Sequence, residues 1–178
     1  MKVVNEWGAL VWRDDVVEVG LQRRLEHPRE RVWAMLTESA ELAQWLAPGT
    51  LEGGQGGRAR IDFGNSGRPI DSIIREWRPP ARLAYSWSAG SETERPLRWH
   101  LAECGDTRTD LSLTLQLPDD DLLAIACAGW DAHLEMLAAA LEGIAIHFPR
   151  DRFQQARSAF SAMHTLALAP RATAKADG

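Results

Sequence analysis

A histidine close to a tryptophan is the strongest candidate for chemistry in this sequence. Proton transfer in catalysis needs a side chain whose pKa lies near the working pH, and histidine meets this need without a large shift. His133 follows Trp130 by three positions, which places the two side chains about 60° apart on a helix. His133 therefore reaches the rim of any cavity that Trp130 lines. A histidine satisfied at the boundary of the core is the favoured alternative, so we predict no catalytic residue and keep His133 as the one candidate.

Other patterns that could carry chemistry are missing. His100 alternates with apolar neighbours, which predicts that it faces outward. Ser86 and Ser88 alternate with inward-facing aromatic residues, and no nucleophile motif surrounds them. The glycine-rich segment 53–57 lacks the order of a phosphate-binding loop and precedes a strand instead of a helix. The five histidines are widely separated, so we predict neither a metal site nor a cofactor.

Composition limits the class of protein. The 178 residues suit one domain with a core of ordinary size, and the net charge of −5 argues against nucleic acid as a partner. Cys104 and Cys127 have neither metal nor redox spacing, which is typical of idle thiols in a reducing cytoplasm. The sequence has no run that resembles a signal peptide or a membrane span. We therefore expect a cytoplasmic protein.

One long helix is predicted from residue 119 to residue 143. Its apolar residues recur at helical spacing and form a stripe that needs a partner surface. They are Leu123, Trp130, Leu134, Leu137, Leu141 and Ile144. Asp119–Asp121 stand at the N-terminal end, where the helix dipole favours carboxylates, and Gly143 closes the other end. A helix of this length needs a wide, curved sheet to cover its stripe.

Alternating apolar residues predict that sheet. Strands are expected at 8–12 and 16–25, followed by two short helices that begin at His27-Pro28 and at Glu38. The remaining strands form an expected antiparallel meander at 58–63, 70–77, 83–87, 97–101 and 111–117. The direction of the side chains within 69–77 is left undecided, because Ile73 and Ile74 are adjacent.

The order of these landmarks resembles a known superfamily. The segments that carry the resemblance are Arg31-Val32-Trp33 to Thr37, Leu42 to Leu46, Gly56-Gly57, Pro79 to Trp87, Gly105 to Thr109 and Gly129-Trp130. They are similar to the SRPBCC (START-like) superfamily, in the branch that resembles activators of the 90-kDa heat-shock-protein ATPase (AHSA-like). The resemblance implies an α+β helix-grip fold. In that fold a curved antiparallel sheet of six to seven strands wraps around the long helix, and two short helices follow the first long strand.

A cavity between the sheet and the long helix is expected. If alternate strand residues face the helix, the aromatic side chains converge on the concave side of the sheet. The residues expected to line the cavity are Trp45, Ile61, Phe63, Tyr85, Trp87, Trp99, Trp130, His133, Leu134 and Leu137. The alternative is that the aromatic side chains, which include eight tryptophans, simply fill this space.

Three functions remain open at this point. The first is the binding of a hydrophobic small molecule in the cavity, with no specific reaction evident. The second is a stress-related or chaperone-associated protein-interaction module, as the AHSA-like resemblance implies. The third is an enzyme similar to polyketide cyclases and aromatases, which would use His133 or a carboxylate in the cavity.

An additional amphipathic helix is expected near the C-terminus. Pro149 precedes a set of apolar residues at steps of three and four. They are Phe153, Ala156, Phe160, Met163 and Ala167. This face either packs back on the domain or contributes to a homodimer or to a surface for a protein partner. The chain is thereby divided into a helix-grip domain at 1–146, an appended helix at 147–169 and a flexible tail at 170–178.

Overall fold

A seven-stranded antiparallel sheet wraps around one long helix. The computed structural model describes residues 1–14, 16–90 and 93–176. The described strands are β1 (Lys2–Asn5), β2 (Gly8–Arg13), β3 (Val16–Leu25), β4 (Gly49–Leu51), β5 (Arg58–Ile61), β6 (Ile70–Ile73), β7 (Glu76–Arg78), β8 (Arg82–Ser86), β9 (Pro96–Glu103) and β10 (Thr109–Pro118). The described α-helices are α1 (Arg29–Thr37), α2 (Ser39–Trp45), α3 (Leu123–Leu141) and α4 (Arg150–Ala176), and a short 3-10 turn lies at Gly64–Ser66.

The large sheet has the strand order β1-β2-β3-β10-β9-β8-β7. Strand β10 lies at its centre and pairs antiparallel with both β3 and β9. Its alternate residues Leu111, Leu113, Leu115 and Leu117 are all buried. Because successive side chains of a strand point to opposite faces, these leucines form one continuous apolar face. The predicted curved sheet with its long strand β3 is confirmed.

A second sheet, with three strands, contains part of the predicted meander. Strands β4, β5 and β6 pair antiparallel in it. The single strand predicted at 70–77 is wrong, because its two halves belong to different sheets. The Ile74 amide donates to the Gly57 carbonyl at 2.8 Å, whereas the next amide, that of Arg75, donates to the Ala84 carbonyl at 2.7 Å. The chain therefore changes sheets between consecutive residues, which a pattern of alternation does not reveal.

Helices α1 and α2 follow β3, as predicted, and both contact α3. We had expected Pro28 to be the first residue of α1. It directly precedes the helix instead. Its carbonyl accepts hydrogen bonds from the amides of Arg31 and Val32 at 3.0 and 3.2 Å. Since proline has no N–H to donate, this position lets the helix begin without leaving a donor unsatisfied.

Helix α3 begins later than predicted. The expected range 119–143 is too long, because the helix starts at Leu123 and all three aspartates precede it. Asp120 Oδ1 accepts a hydrogen bond from the Leu122 amide at 2.9 Å. Asp119 Oδ1 lies 2.8 Å from Nε2 of His164 in α4. The aspartates therefore stabilise the turn before the helix and a contact with α4, and they do not occupy the first helical turn.

The C-terminal end of α3 is closed by Gly143, as predicted. Its φ of 73° lies in the left-handed region, which glycine adopts without strain. The Gly143 amide donates to the Ala140 carbonyl at 3.0 Å, and the Ile144 amide donates to the Ala139 carbonyl at 2.9 Å. This pair of hydrogen bonds is a Schellman motif. Ile144 is 57% exposed, so its assignment to the buried stripe is wrong. The other five residues of that stripe are buried.

Helix α4 packs against α3 and β1. Its buried face contains Ala156, Phe160, Met163 and Ala167, which were predicted to share one side. The helix runs beyond the predicted end at 169 and reaches Ala176, while residues 177 and 178 of the predicted tail lie outside the described residues. The division of the chain into domain, helix and tail stays a prediction. In the part of the chain that is described, no helix is both long and apolar enough to cross a membrane.

A buried carboxylate attaches α4 to the rest of the fold. Asp131, in α3, is fully buried and pairs with arginines from two other elements. Arg23 of β3 donates to its Oδ1, and Arg152 of α4 donates from Nε to its Oδ2 at 2.7 Å. The Arg152 guanidinium also lies over the ring of Trp7, 5.1 Å from the ring centroid. One carboxylate therefore ties β3, α3 and α4 together.

Replacing this carboxylate should destabilise the protein strongly. We expect Asp131→Asn to lower the free energy of unfolding by about 3 kcal/mol, because removing one partner of a buried ion pair leaves charge uncompensated. Urea denaturation followed by circular dichroism measures the change. Asp110→Asn is the matched control, since the pair of Asp110 with Arg24 is exposed and should contribute little. Equal effects of the two substitutions would contradict the assigned role of Asp131.

Candidate functional site

A cavity of about 280 Å³ lies against one flank of α3. Its walls come from α3, from the segment between β5 and β6, from the residues that follow α2 and β8, and from α4 with the segment before it. The lining residues are Leu46, Phe63, Gly67, Arg68, Trp87, Ile125, Ala126, Gly129, Trp130, His133, Phe148 and Phe153. Apolar and aromatic side chains thus surround two ionisable groups, His133 and Arg68. This composition is typical of sites for small molecules.

Four of the ten residues predicted to line a cavity surround this one. They are Phe63, Trp87, Trp130 and His133. The other six are buried in the core and do not line this cavity: Trp45, Ile61, Tyr85, Trp99, Leu134 and Leu137. Alternation indicates which face of a strand a residue occupies, but not how far along the strand the cavity lies. Ligand binding by any of the ten stays a prediction.

Four tryptophans form a continuous row from the core to the cavity. Trp45 packs edge-on against Trp99, and Trp99 packs against Trp130, each with ring centroids 6.0 Å apart. Trp130 in turn packs against Trp87 at 5.6 Å. The Trp45 indole N–H donates to the Met35 carbonyl at 2.8 Å, which satisfies it inside the core. The tryptophans therefore fill the inner part of the space, and two of them form the wall of the part that stays open.

Burial keeps two other reactive groups protonated. It raises the pKa of the Tyr85 hydroxyl to about 12 and that of the Cys127 thiol also to about 12, because water no longer stabilises the charged forms. A phenol or thiol that stays neutral near neutral pH is neither a base nor an effective nucleophile. Neither residue lines the cavity.

His133 lies at the cavity wall between three aromatic rings. Its ring centroid is 5.8 Å from that of Phe148, 6.2 Å from Phe63 and 6.4 Å from Trp130. Its Nδ1 lies 3.1 Å from the Trp45 carbonyl oxygen. Burial lowers the pKa of His133, and the hydrogen bond to Trp45 opposes this effect less strongly. His133 is therefore a neutral imidazole near pH 7, with one ring nitrogen already engaged.

Two serines lie in an environment that alternation did not predict. Ser86 and Ser88 were expected to face outward, but both are buried. Ser86 Oγ lies 2.7 Å from Ser88 Oγ and accepts a hydrogen bond from the Arg95 amide at 2.7 Å. The Ser72 hydroxyl of β6 donates to the Ser86 carbonyl at 2.9 Å. The second sheet thus covers this end of β8. His100, by contrast, is exposed, as predicted.

Part of the cavity wall was missed in the sequence. Ile125 and Gly129 precede the predicted His133 by eight and four positions, so helical spacing could have placed both on its flank of α3. No comparable signal exists for Phe148 and Phe153, whose rings pack 5.6 Å apart. Their position depends on how α4 docks, and periodicity does not contain that information.

Comparison with known proteins agrees with the fold, and the residues matched by a family model include most of those that line the cavity. The model of the family described as "Activator of Hsp90 ATPase homolog 1-like protein" matches residues 26–142, well over half of the chain. The chain belongs to this family. The resemblance to the AHSA-like branch of the SRPBCC superfamily is thereby confirmed. No curated protein matches the sequence significantly.

Solved structures share the fold of this AHSA1-family chain. EF2215 of Enterococcus faecalis, a conserved protein of unknown function, is 18% identical with a TM-score of 0.72, over 88% of this chain and 91% of that one. DynU16, from the dynemicin biosynthetic locus, is 29% identical with a TM-score of 0.63, over 75% of this chain and 49% of that one. The Aha1 dimer of Colwellia psychrerythraea is 20% identical with a TM-score of 0.62, over 71% of this chain and 96% of that one.

The cavity of this AHSA1-family chain combines two parts. His133, Trp130 and the other residues of α3 lie within the family match, which ends at residue 142. Phe148 and Phe153 follow that end and close the cavity from the side of α4. The imidazole therefore lies in the part that the family model matches, and part of the wall lies beyond it.

The lowered pKa of His133 predicts a loss of stability in mild acid. The folded state disfavours protonation, so the unfolded chain binds more protons once the pH falls below the ordinary histidine pKa of about 6.5. The contribution of His133 to stability is complete above that pH and is lost as the pH falls through the folded pKa. We expect the stability advantage of the wild type over His133→Asn to shrink between about pH 7.5 and about pH 5.

Urea denaturation of both proteins across this pH range measures the difference. Asparagine does not titrate, and its amide can still donate to the Trp45 carbonyl. His100→Asn serves as the control, because it makes the same exchange at an exposed histidine. A pH-independent difference between wild type and His133→Asn would show that the burial of His133 has no effect on its protonation.

Proposed function

We propose that this AHSA1-family protein binds a small hydrophobic molecule in the cavity beside α3, without a reaction. A volume of about 280 Å³ lies just below the roughly 300–1,000 Å³ of typical ligand pockets, which favours a ligand of one or two rings or a short chain. The rings of Phe63, Trp87, Trp130 and Phe148 offer flat apolar surfaces to such a molecule.

The observation that carries this proposal is a glycine in the middle of α3. A Cβ added at Gly129 would meet no atom within 4 Å, so no close packing requires a glycine there. Glycine in a helix interior costs about 1 kcal/mol relative to alanine. The space beside Gly129 belongs to the cavity. A cost in stability without a packing reason is expected where space is kept open for a ligand.

Catalysis of the polyketide cyclase or aromatase type has less support. Among the described residues that line the cavity, His133 and Arg68 are the ionisable ones. An arginine stays protonated throughout the physiological pH range, so it does not serve as a general base. A reaction that needs both an acid and a base would therefore depend on His133 alone. Binding makes no such demand.

Two further observations agree with a small-molecule role in the cytoplasm. DynU16, which is 29% identical, comes from the dynemicin biosynthetic locus. Cys104 and Cys127 are both free thiols, as expected of a protein kept in reducing conditions. The proposal therefore includes the cytoplasmic location expected from the sequence.

Filling the space beside Gly129 tests the proposal. Gly129→Leu should weaken binding at least about tenfold, because the new side chain occupies the cavity, and should raise the melting temperature, because leucine favours the helix. Quenching of tryptophan fluorescence by naphthol and by its methyl ether measures binding, since Trp87 and Trp130 line the site.

Ala139→Leu is the matched control for this substitution. It adds the same side chain to α3 outside the cavity lining and should leave binding unchanged. A Gly129→Leu protein that binds the probes as well as the wild type would refute the assignment of the ligand to this cavity.

A second candidate function is association with another protein through α4. Leu166 and Leu168 of this helix are 65% and 41% exposed and lie on either side of the buried Ala167. The relative from Colwellia psychrerythraea is a dimer, which favours a second copy of this chain as the partner. A stress-related or chaperone-associated role would agree with the family description, which names an activator of the Hsp90 ATPase.

Sedimentation equilibrium tests this second candidate. We expect the wild type to form a dimer and Leu166→Glu to be monomeric, because a charge would be desolvated at an apolar contact. Gln154→Glu adds the same charge at another exposed position of α4 and should leave the dimer intact. A wild type that stays monomeric at high concentration would exclude the homodimer.

A further inference from the structure

The hydrogen bonding of His133 limits what the cavity can hold. Its Nδ1 lies 3.1 Å from the Trp45 carbonyl oxygen, an atom that can only accept a hydrogen bond. The proton of the neutral ring therefore resides on Nδ1, and Nε2 carries a lone pair. Within the described part of the chain, Nε2 has no hydrogen-bond partner. An acceptor is thus left without a donor at the wall of an apolar cavity.

The neighbouring rings cannot satisfy this acceptor. The side chains of Phe63 and Phe148, whose ring centroids lie 6.2 and 5.8 Å from that of the imidazole, have no polar hydrogen. The indole N–H of Trp130 is buried and has no hydrogen-bond partner among the described residues, so it does not donate to Nε2. Protonation is also disfavoured, because burial lowers the pKa of His133. A molecule that enters the cavity is therefore favoured if it brings its own donor.

We propose that the ligand is an aromatic alcohol, such as a phenol or a naphthol, whose hydroxyl group donates a hydrogen bond to Nε2 of His133. This inference rests on the proposed function and specifies its ligand class. The ring of such a molecule packs against Phe63, Trp130 and Phe148, which surround the imidazole. Its size suits a cavity of about 280 Å³. Its single hydroxyl matches the single acceptor.

The same geometry disfavours two other classes of ligand. An ether or hydrocarbon of equal shape would cover Nε2 and leave it unpaired, which is how a buried polar group rejects an analogue that lacks the matching partner. A carboxylate would present lone pairs to the lone pair of Nε2 and would lose its hydration in an apolar site. A carboxylate that did bind would pair with Arg68, the other ionisable residue of the wall, and not with His133.

Three probes of one shape test the inference by isothermal titration calorimetry. They are naphthol, its methyl ether and naphthoate, measured above the ordinary pKa of histidine. We expect the wild type to bind naphthol about tenfold more tightly than the ether, which is the effect of one hydrogen bond, and naphthoate most weakly. His133→Leu should bind naphthol and the ether with equal affinity.

Each outcome has one meaning. Equal affinities of naphthol and the ether for the wild type overturn this inference but leave the proposed function intact. Tighter binding of naphthoate than of naphthol also overturns it and assigns recognition to Arg68. Failure of all three probes to bind refutes the proposed function, and this inference with it.

Nitrogen NMR of protein labelled at histidine gives a result that needs no variant. In the free wild type we expect a protonated Nδ1 and an unprotonated Nε2 for His133. Naphthol should shift the Nε2 resonance upfield, whereas the ether should leave it in place. A proton found on Nε2 of the free protein would overturn the inference, even if His133→Leu does not fold.

Discussion

The cavity of this protein depends on one buried carboxylate. Asp131 is fully enclosed, and such a charge is tolerable only because Arg23 and Arg152 approach it from two other elements. Arg152 and Phe153 are neighbours in the chain, so the contact that fixes the arginine also fixes the phenylalanine at the cavity wall. An interaction that stabilises the fold thereby also determines the shape of the candidate site.

Helix α3 serves different purposes on its different sides. Trp130, Leu134 and Leu137 are buried in the core that the curved sheet encloses. Ile125, Gly129 and His133 share another flank and line the cavity. This second flank lacks the bulk of the first, since a glycine stands at its centre where alanine or leucine would favour the helix. The helix therefore stabilises the fold with one side and leaves space with another.

Sequence patterns predicted the elements better than the relations between them. The alternation of Leu111, Leu113 and Leu115 and the helical spacing of Trp130, Leu134 and Leu137 predicted a sheet and the helix that it covers, because local periodicity follows burial directly. The change of sheets at Ile74 and Arg75 was missed, since it depends on which distant carbonyl accepts each amide. Phe148 was missed for a similar reason, because its contact with His133 exists only after α4 has docked.

The boundary of the family match helps to explain why membership indicates a fold more clearly than a ligand. The imidazole of His133 and the rings of Trp87 and Trp130 lie within residues 26–142, so the ionisable group and one wall fall inside the matched part. Phe148 and Phe153 lie beyond it, and they close the opposite side. Because the discrimination of any ligand depends on the whole surface that touches it, a change in the appended helix would alter the shape of this cavity without altering the matched part of the fold. In this protein the family-matched part therefore contains His133, and α4 adds Phe153 to the surface around it.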